Sequence, residues 1–286
     1  MKTLREVLED TKNRHVALGH FNVSDSTQFH AIVSAAEELS LPVAIGVSEG
    51  EREFIGTPYI AAMVQAAQKL GKAVYLNADH THSVEGCKEV IDAGFDSVIF
   101  DGSKLSVEEN IEKTKEVVAY AAQSGRDVIV EAELGYIGTS SKMLDAVPDD
   151  VLAAALPTAE DAAHFVQATG VSALAPAVGN LHGMLKGRAN PSLHIDRIAE
   201  IRAAVDVTLV LHGGSGISDD DFRAAIAAGM NEVHINTEIR VAYRKGLEEK
   251  LAANPDEVGP YHYLDGGRDM MKDVVRARLA LFNNLS

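Results

Sequence analysis

Cysteine, tryptophan and long apolar runs are scarce or absent in this 286-residue sequence. It contains one cysteine, Cys87, and no tryptophan. A single cysteine excludes a disulfide framework within the chain. No apolar run reaches the roughly 20 residues of a membrane-spanning helix. The charged segment 1–15 has the pattern of a surface helix and not of a signal peptide, so we expect a cytoplasmic protein with no membrane partner.

Positive charge is also scarce. The chain has 26 Lys and Arg against 42 Asp and Glu, a net charge of −16. Because so acidic a protein repels phosphate backbones, we expect no nucleic-acid partner. An anionic ligand would need positive charge concentrated locally, in a metal ion, in backbone amides and in a few Lys or Arg side chains.

Short β-branched runs alternate with amphipathic helical patterns along the chain. Eight strands are predicted, at residues 16–20, 43–47, 73–78, 97–100, 128–133, 171–175, 207–211 and 232–236. A helix over residues 1–14 precedes them, and helices over residues 238–253 and 269–283 follow. Such alternation favours a closed parallel barrel over an open doubly wound sheet. Since no linker or shift in composition marks a second domain, the sequence predicts an α/β (β/α)8 TIM barrel, one domain spanning residues 1–286.

The segment 135–157 interrupts this alternation, because it is longer than the usual βα connection. A long loop at a barrel mouth is typical of a lid that closes over a site. A mobile surface insertion would look the same in the sequence. Both interpretations therefore stay open at this point.

Polar side chains gather at the predicted carboxyl ends of the strands, where barrel active sites lie. Five histidines stand at or just beyond these ends, namely His20, His80, His182, His212 and His234. The acidic residues placed there are Asp79, Asp101, Glu131 and Glu133. One strand-end histidine is usually a hydrogen-bonded core residue, but several at one barrel mouth indicate a metal site. Three imidazoles with an open position form the ligand set of a catalytic zinc ion.

Asp79 directly precedes His80 in the sequence. A carboxylate next to a metal ligand lies beside a polarised carbonyl group, which suits proton transfer at carbon. The alternative role for Asp79 is structural, as the N-cap of a helix that begins near His82 or Ser83.

The stretch 209–216, LVLHGGSG, joins a buried strand to a helix predicted to begin at Ser218 or Asp219. Its glycines let backbone N–H groups approach an anion, and the helix N-terminus adds a favourable dipole. The residues that could complete an anion site are Lys186, Ser215, Asn236 and Thr237. The alternatives are a tight strand-to-helix turn and, for Lys186, an ordinary solvated charge.

Taken together, these motifs resemble the class II, metal-dependent ketose-bisphosphate aldolases. The motifs that carry the resemblance are GHFNV (19–23), GVSEG (46–50), NADH (77–80), FDGS (100–103), VEAELG (130–135), GNLHGMLKG (179–187), LHGGSGI (211–217) and INTE (235–238). The resemblance implies a zinc-dependent aldolase of carbohydrate metabolism, of glycolytic type. Such an enzyme reversibly cleaves fructose 1,6-bisphosphate or tagatose 1,6-bisphosphate to dihydroxyacetone phosphate and an aldehyde. It also implies a homodimer or homotetramer.

The resemblance assigns roles to individual residues. It makes His80, His182 and His212 the zinc ligands, with Glu133 as an alternate ligand and Asp101 as an acidic neighbour. It makes Asp79 the group that moves the C–H proton. The residues implied to bind substrate and its phosphate are Ser48, Gly183, Lys186, Gly213, Gly214, Ser215, His234, Asn236 and Thr237. Backbone oxygens around Gly183 and Gly213 are implied to hold a monovalent cation.

Three departures from the family pattern concern the substrate. His234 stands where the family usually has an Asn that contacts the enediolate. The segment 135–157 lacks the usual glutamate, for which the candidate replacements are Asp145, Asp149 and Asp150. Tyr261 stands where the family has an Arg that binds the aldehyde's phosphate, with Arg268 as the nearby candidate replacement.

Three alternative functions stay open, the first and third of them because of these departures. The first is an aldolase of the same family that acts on a ketose 1-phosphate with an unphosphorylated aldehyde half. The second is a barrel metal hydrolase, although the His-x-His pair expected on its first strand reads His20-Phe21-Asn22 here. The third is a non-catalytic sugar-phosphate-binding paralogue.

Overall fold

The computed structural model describes residues 2–139 and 141–285. Within them the strands are β1 (Leu18–Asn22), β2 (Val43–Val47), β3 (Val74–Thr81), β4 (Ser97–Phe100), β5 (Ile129–Leu134), β6 (Met143–Leu144), β7 (Ala173–Pro176), β8 (Met184–Leu185), β9 (Thr208–Leu211) and β10 (Glu232–Ile235). All except β6 and β8 form a closed barrel in the order β1-β10-β9-β7-β5-β4-β3-β2, with parallel neighbours throughout. The predicted TIM barrel is thus confirmed.

Helices surround the barrel. In chain order they are α1 (Leu4–Arg14), α2 (Ser26–Leu39), α3 (Glu49–Ile55), α4 (Thr57–Lys69), α5 (Val84–Asp92), α6 (Val107–Gln123), α7 (Asp149–Ala153), α8 (Ala159–Thr169), α9 (Ile195–Ala204), α10 (Asp219–Ala228), α11 (Thr237–Ala253) and α12 (Pro260–Phe282). The predicted amino-terminal helix and both carboxyl-terminal helices are present. Among the described residues no helix is long and apolar enough to cross a bilayer. The single-domain assignment stays a prediction.

The buried apolar residues form two clusters. The larger cluster fills the layer between the strands and the outer helices. The smaller one lies inside the barrel, where Leu4, Val7 and Leu8 of α1 pack against Leu18 and Tyr75. Helix α1 therefore seals the amino-terminal end of the barrel, and the polar inward-facing residues gather toward the carboxyl-terminal end.

Segment 135–157 is built differently from a structureless loop. It contains β6 and α7, and β6 pairs in parallel with β8, which lies in the connection after β7. Segment 135–157 is therefore joined to the connection that contains His182 and Gly183.

Candidate active site

A cavity of about 400 Å³ opens at the carboxyl-terminal end of the barrel. The sequence-predicted residues that line it are Ser48, Asp79, His80, Asp101, His182, Gly183, His212, Gly213, Ser215, His234, Asn236 and Thr237. Other predicted residues are outside this lining, namely His20, Glu131, Glu133, Lys186, Gly214 and Arg268. Glu133 nevertheless lies within reach of the histidines.

His80, His182, His212 and Glu133 converge on one point. Their ligand atoms all lie within 4.8 Å of one another. His182 Nε2, His212 Nδ1 and Glu133 Oε1 are buried and have no hydrogen-bond partner among the described residues. Buried lone pairs without donors are costly. This set of nitrogen and oxygen atoms therefore fits a zinc ion.

Carboxylates lie within hydrogen-bond distance of two of these rings, His80 and His212, on the ring nitrogen that faces away from the metal position. His80 Nδ1 lies 2.9 Å from Asp101 Oδ2, and His212 Nε2 lies 2.8 Å from Glu131 Oε1. Such a bond fixes the tautomer and leaves the other ring nitrogen free for a metal. Asp101 is itself held by the Ser103 hydroxyl, whose Oγ donates to Asp101 Oδ1 over 2.6 Å. Sequence reasoning placed Glu131 at the strand end without giving it this task.

The end of β3 turns two consecutive side chains toward the cavity. On a regular strand Asp79 and His80 would face opposite ways. Here the register between β3 and β4 shifts between Ala78 and Thr81, and His80 takes φ +42°, in the left-handed region. Both side chains consequently line the cavity. The strand also extends three residues beyond its predicted end at residue 78.

Asp79 has one oxygen bound and one free. Its Oδ2 accepts a hydrogen bond from Asn22 Nδ2 over 2.8 Å, whereas its buried Oδ1 has no partner in the described part of the chain. Helix α5 is capped by Ser83, whose side chain accepts from the Gly86 N–H, so Asp79 does not have the capping role. Its free oxygen faces the cluster, 3.7 Å from His80 Nε2.

Burial and charge act in opposite directions on these groups in the absence of a metal. Burial disfavours ionised Asp79, but the charge of His80 and the nearby imidazole of His234 outweigh it and hold the Asp79 pKa well below its usual range. Burial disfavours charged His80, but Asp79, Glu133 and Asp101 raise its pKa to about 10. Burial raises the pKa of Glu133 to about 8 and lowers that of His182 to about 3.

The glycine-rich turn after β9 forms one wall of the cavity. Gly213 has φ +61°, and a Cβ there would lie 2.3 Å from the backbone oxygen of Leu181, so only glycine fits. The Ser215 hydroxyl accepts hydrogen bonds from the N–H groups of Asn236 and Glu238, over 3.3 and 3.2 Å. Ser215 thereby joins this turn to the N-terminus of α11.

Asn190 ties the two glycine turns together, a role that sequence reasoning missed. Its Nδ2 donates to the backbone oxygens of Gly183 (2.9 Å) and Ser215 (2.8 Å). Nothing in the local pattern around Asn190 indicates this role, because its partners are backbone atoms distant in sequence.

Several predicted residues lie elsewhere. The Lys186 ammonium pairs with Asp145 over 2.9 Å, and both side chains are exposed. Arg268 pairs with Asp269 on α12, and Tyr261 is exposed. The acidic residues Asp145, Asp149 and Asp150 do not line the cavity, where segment 135–157 contributes Gly138, Thr139 and Ser141 instead.

Two cations that sequence reasoning did not select line the cavity, Lys104 and Arg240. Arg240 of α11 forms an ion pair with Glu51. Glu51 Oε2 in turn accepts hydrogen bonds from Asn22 Nδ2 and from the Ser48 hydroxyl, each over 2.9 Å. The charge of Arg240 is therefore already opposed by a carboxylate.

Comparison with known proteins agrees with this geometry. The family model described as "Fructose-bisphosphate aldolase class-II" matches residues 2–285. Fructose-bisphosphate aldolase of Staphylococcus epidermidis is 37% identical over 284 residues, covering 98% of this chain and 96% of that protein. The probable fructose-bisphosphate aldolase of Bacillus subtilis is 37% identical over 288 residues, covering 99% and 97%.

Solved structures show the same likeness. The YdjI aldolase of Escherichia coli K12 superposes with a TM-score of 0.83 at 31% identity, over 99% of this chain and 97% of that one. A putative fructose-1,6-biphosphate aldolase from Coccidioides immitis superposes with a TM-score of 0.86 at 28% identity, over 99% and 96%. With its converging histidines and whole-length match, the chain belongs to the class II fructose-bisphosphate aldolase family, a family of metal-dependent lyases that act on sugar phosphates.

Proposed function

We propose that this enzyme is a zinc-dependent aldolase that uses dihydroxyacetone phosphate as the ketone half of its reaction. One observation carries the proposal: the unpartnered atoms of His182, His212 and Glu133 converge with His80, whose Nε2 lies 3.7 Å from the free oxygen of Asp79. A cation site next to a fixed carboxylate is what proton transfer beside a ketone requires.

His80, His182 and His212 would hold the zinc ion, with Glu133 as an alternate ligand. When bound, zinc supplies a Lewis acid that polarises the ketone oxygen. Asp101 and Glu131 orient two of the three rings through their far nitrogens. A monovalent cation at the backbone oxygens near Gly183 and Gly213 is part of the same proposal.

Asp79 would remove and return the proton on the hydroxymethyl carbon. In the metal-free protein His80 and His234 hold its pKa low against the effect of burial. In the zinc-loaded enzyme, where His80 is unprotonated, the charge of the bound ion would take the place of the His80 charge and keep Asp79 ionised. Because Asn22 fixes Oδ2, the free Oδ1 has a defined direction. His234 Nδ1, 3.7 Å from that oxygen, would donate to a substrate oxygen.

The phosphate of the ketone half would lie against Gly183, Gly213 and Ser215. The N-terminus of α11 at Thr237 faces the same wall, so N–H groups and the helix dipole favour an anion there. Ser48 and Asn236 complete the lining.

The aldehyde half would be uncharged, which makes a ketose 1-phosphate the substrate in the cleavage direction. Tyr261 is exposed, Arg268 is paired with Asp269, and Arg240 is paired with Glu51. The described segment 135–157 offers hydroxyl groups at Thr139 and Ser141, which suit a polyhydroxy aldehyde.

Two observations weigh against the alternatives. The His20 ring faces Asn77 inside the barrel, 3.1 Å away, and is not one of the converging ligands, as a hydrolase with a first-strand His-x-His pair would need. The complete set of histidines and Asp79 weighs against a non-catalytic paralogue. Cytoplasmic location and a homodimer or homotetramer remain proposals.

The test is exchange of the hydroxymethyl proton of dihydroxyacetone phosphate with deuterated water, followed by NMR. Zinc-loaded protein should catalyse it, and Asp79→Ala should lose about two to four orders of magnitude in rate, as expected for removing a general base, while keeping its zinc. Absence of exchange by the zinc-loaded protein would overturn the aldolase proposal and favour simple sugar-phosphate binding.

A further inference from the structure

A belt of polar side chains crosses the barrel interior below the cavity. It consists of Ser97 on β4, Asn77 on β3, His20 on β1 and His234 on β10, and it ends on His212 at the end of β9. All five are buried. We call these residues the inner belt. His234 and His212 line the cavity, whereas His20 does not.

His234 lies in a stack of three imidazole rings and makes no hydrogen bond with a described residue. Neither ring nitrogen has a hydrogen-bond partner among the described residues. The nearest carboxylate oxygens are Asp79 Oδ1 at 3.7 Å and Glu232 Oε1 at 3.5 Å. One face of the ring stacks on His20, with centroids 3.5 Å apart and planes 7° apart, and the ring also stacks on His212 at 4.2 Å and 28°. The plane of His234 thus depends on its neighbours.

His20, by contrast, is anchored. Its Nε2 lies 3.1 Å from Asn77 Oδ1, and Asn77 Nδ2 donates to Ser97 Oγ over 2.7 Å. Strand pairing adds a second constraint, because His20 and His234 are register partners on adjacent strands. His20 and His212 come from the two strands that flank β10, namely β1 and β9.

Gly46 makes this anchor possible. Strand β2 lies between β1 and β3, so the His20 ring must cross β2 to meet Asn77. It crosses at Gly46, where a Cβ would lie 2.1 Å from His20 Cε1 and 2.5 Å from Nε2. A side chain on residue 46 would therefore displace the ring.

The stack does not suit a second metal ion. His20, Asp79 and His234 have ligand atoms within 4.8 Å of one another. Imidazole lone pairs lie in the ring plane, however, and the two rings are nearly parallel, 7° apart, with centroids 3.5 Å apart. A cation shared between them would lie outside both ring planes. Orientation of the neighbouring ring is the role that the geometry supports.

We propose that His20 is a positioning residue that holds the ring plane of His234 beside Asp79, so that His234 meets the substrate in one orientation. The inference rests on the proposed function, since it concerns the same proton-transfer step. Misplacing a group by about 1 Å can cost about 100-fold in rate. Loss of the ring that stacks on His234 should therefore lower kcat far more than it raises KM.

The experiment is a double-mutant cycle on proton exchange of dihydroxyacetone phosphate, with zinc content and Tm measured for each variant. His20→Ala should lower kcat for exchange about 10- to 100-fold, with KM within about twofold and zinc unchanged. In a His234→Asn background, which leaves no ring to stack, the same change should alter kcat by less than about threefold. Equal losses in both backgrounds, or no loss in the first, would overturn the proposal.

Two further variants test the proposal if the His20→Ala protein does not fold. His20→Phe keeps a flat ring over His234 and should retain exchange within about fivefold of wild type. Gly46→Ala should reproduce the loss by displacing the ring, since its Cβ would lie 2.1 Å from His20 Cε1. A His20→Phe protein as slow as Gly46→Ala would exclude stacking as the operative contact. Failure of the wild-type protein to exchange at all would instead refute the proposed function.

Discussion

At the scale of single residues, the four candidate metal ligands differ in whether a neighbouring side chain holds them by a hydrogen bond. Asp101 and Glu131 fix His80 and His212, whereas His182 Nε2 and Glu133 Oε1 are buried without partners among the described residues. Removing one ligand therefore leaves the other buried lone pairs unsatisfied and the geometry incomplete.

We expect His80→Ala, His182→Ala and His212→Ala each to lose tight zinc binding and activity, because each change removes one of the three imidazole ligands of the site. Zinc content after dialysis at neutral pH is the measurement. His164→Ala, which removes an exposed imidazole on α8, is the control and should keep its zinc. Full zinc content in all three cluster variants would refute the site.

Zinc uptake should release protons and become tighter as pH rises. In the metal-free protein the pKa of His80 is raised to about 10 and that of Glu133 to about 8, so both hold protons at pH 7. Zinc needs the unprotonated forms. Between pH 6 and 8 the apparent affinity should rise about tenfold per pH unit for each proton released.

Calorimetry in two buffers of different ionisation enthalpy counts these protons directly. A binding enthalpy that is the same in both buffers would mean that no proton leaves. That result would contradict the charge states assigned to His80 and Glu133.

At the scale of elements, two glycines explain how the last two helices pack. A Cβ on Gly246 of α11 would lie 2.1 Å from the backbone oxygen of Gly266, and one on Gly267 of α12 would lie 2.8 Å from that of Tyr243. The two helices therefore meet backbone to backbone. Helix α12 begins at Pro260, nine residues before the predicted start at residue 269. The prediction began too late because the glycines in this part of the sequence look like helix breakers.

Gly246→Ala should destabilise the protein by about 1–3 kcal/mol, the usual cost of overpacking. That cost exceeds the roughly 1 kcal/mol that alanine gains over glycine within a helix. The urea midpoint measures it. Gly50→Ala is the matched control, because a Cβ there meets nothing within 4 Å, and it should be neutral or slightly stabilising. Equal stability of the two variants would contradict the close approach of α11 and α12.

At the scale of the whole molecule, the amino-terminal end of the barrel is sealed and the polar groups gather at the carboxyl-terminal end, in a chain of net charge −16. An anionic aldehyde must enter against that charge. The arginines Arg240 and Arg268 are each already paired with a carboxylate, so neither offers an unopposed charge to a second phosphate. The net negative charge and the pairing of both arginines therefore favour an uncharged aldehyde as the acceptor.

We expect the kcat/KM for glyceraldehyde 3-phosphate, with dihydroxyacetone phosphate as donor, to exceed that for glyceraldehyde by less than about two decades, because a charge-assisted contact worth roughly 1.5–3 kcal/mol is missing. Arg268→Ala should leave the ratio unchanged. A ratio of several orders of magnitude that survives this substitution would show that another cation, such as Lys104 in the cavity lining, binds the second phosphate.

The barrel could be predicted from the alternation of strands and helices, because strand periodicity and helix patterning are local signals. The residues at the strand ends followed from the barrel, which is why most of the predicted residues line the cavity. The two-residue strands β6 and β8 carry no periodic signal. The left-handed turn at His80 and the stacking of His20 on His234 depend on strand register, which a single sequence does not reveal.

The pairing of β6 with β8 has a kinetic consequence. One partner belongs to the segment whose Thr139 and Ser141 line the proposed aldehyde end of the cavity, and the other follows Gly183 at the proposed phosphate end. Binding of dihydroxyacetone phosphate at the proposed phosphate end should thus fix the position of β6, and with it Thr139 and Ser141, before the aldehyde binds. We expect compulsory order, with dihydroxyacetone phosphate adding first and leaving last. An inert analogue of the aldehyde should then inhibit uncompetitively against dihydroxyacetone phosphate, giving parallel reciprocal plots, whereas random addition would give lines that intersect.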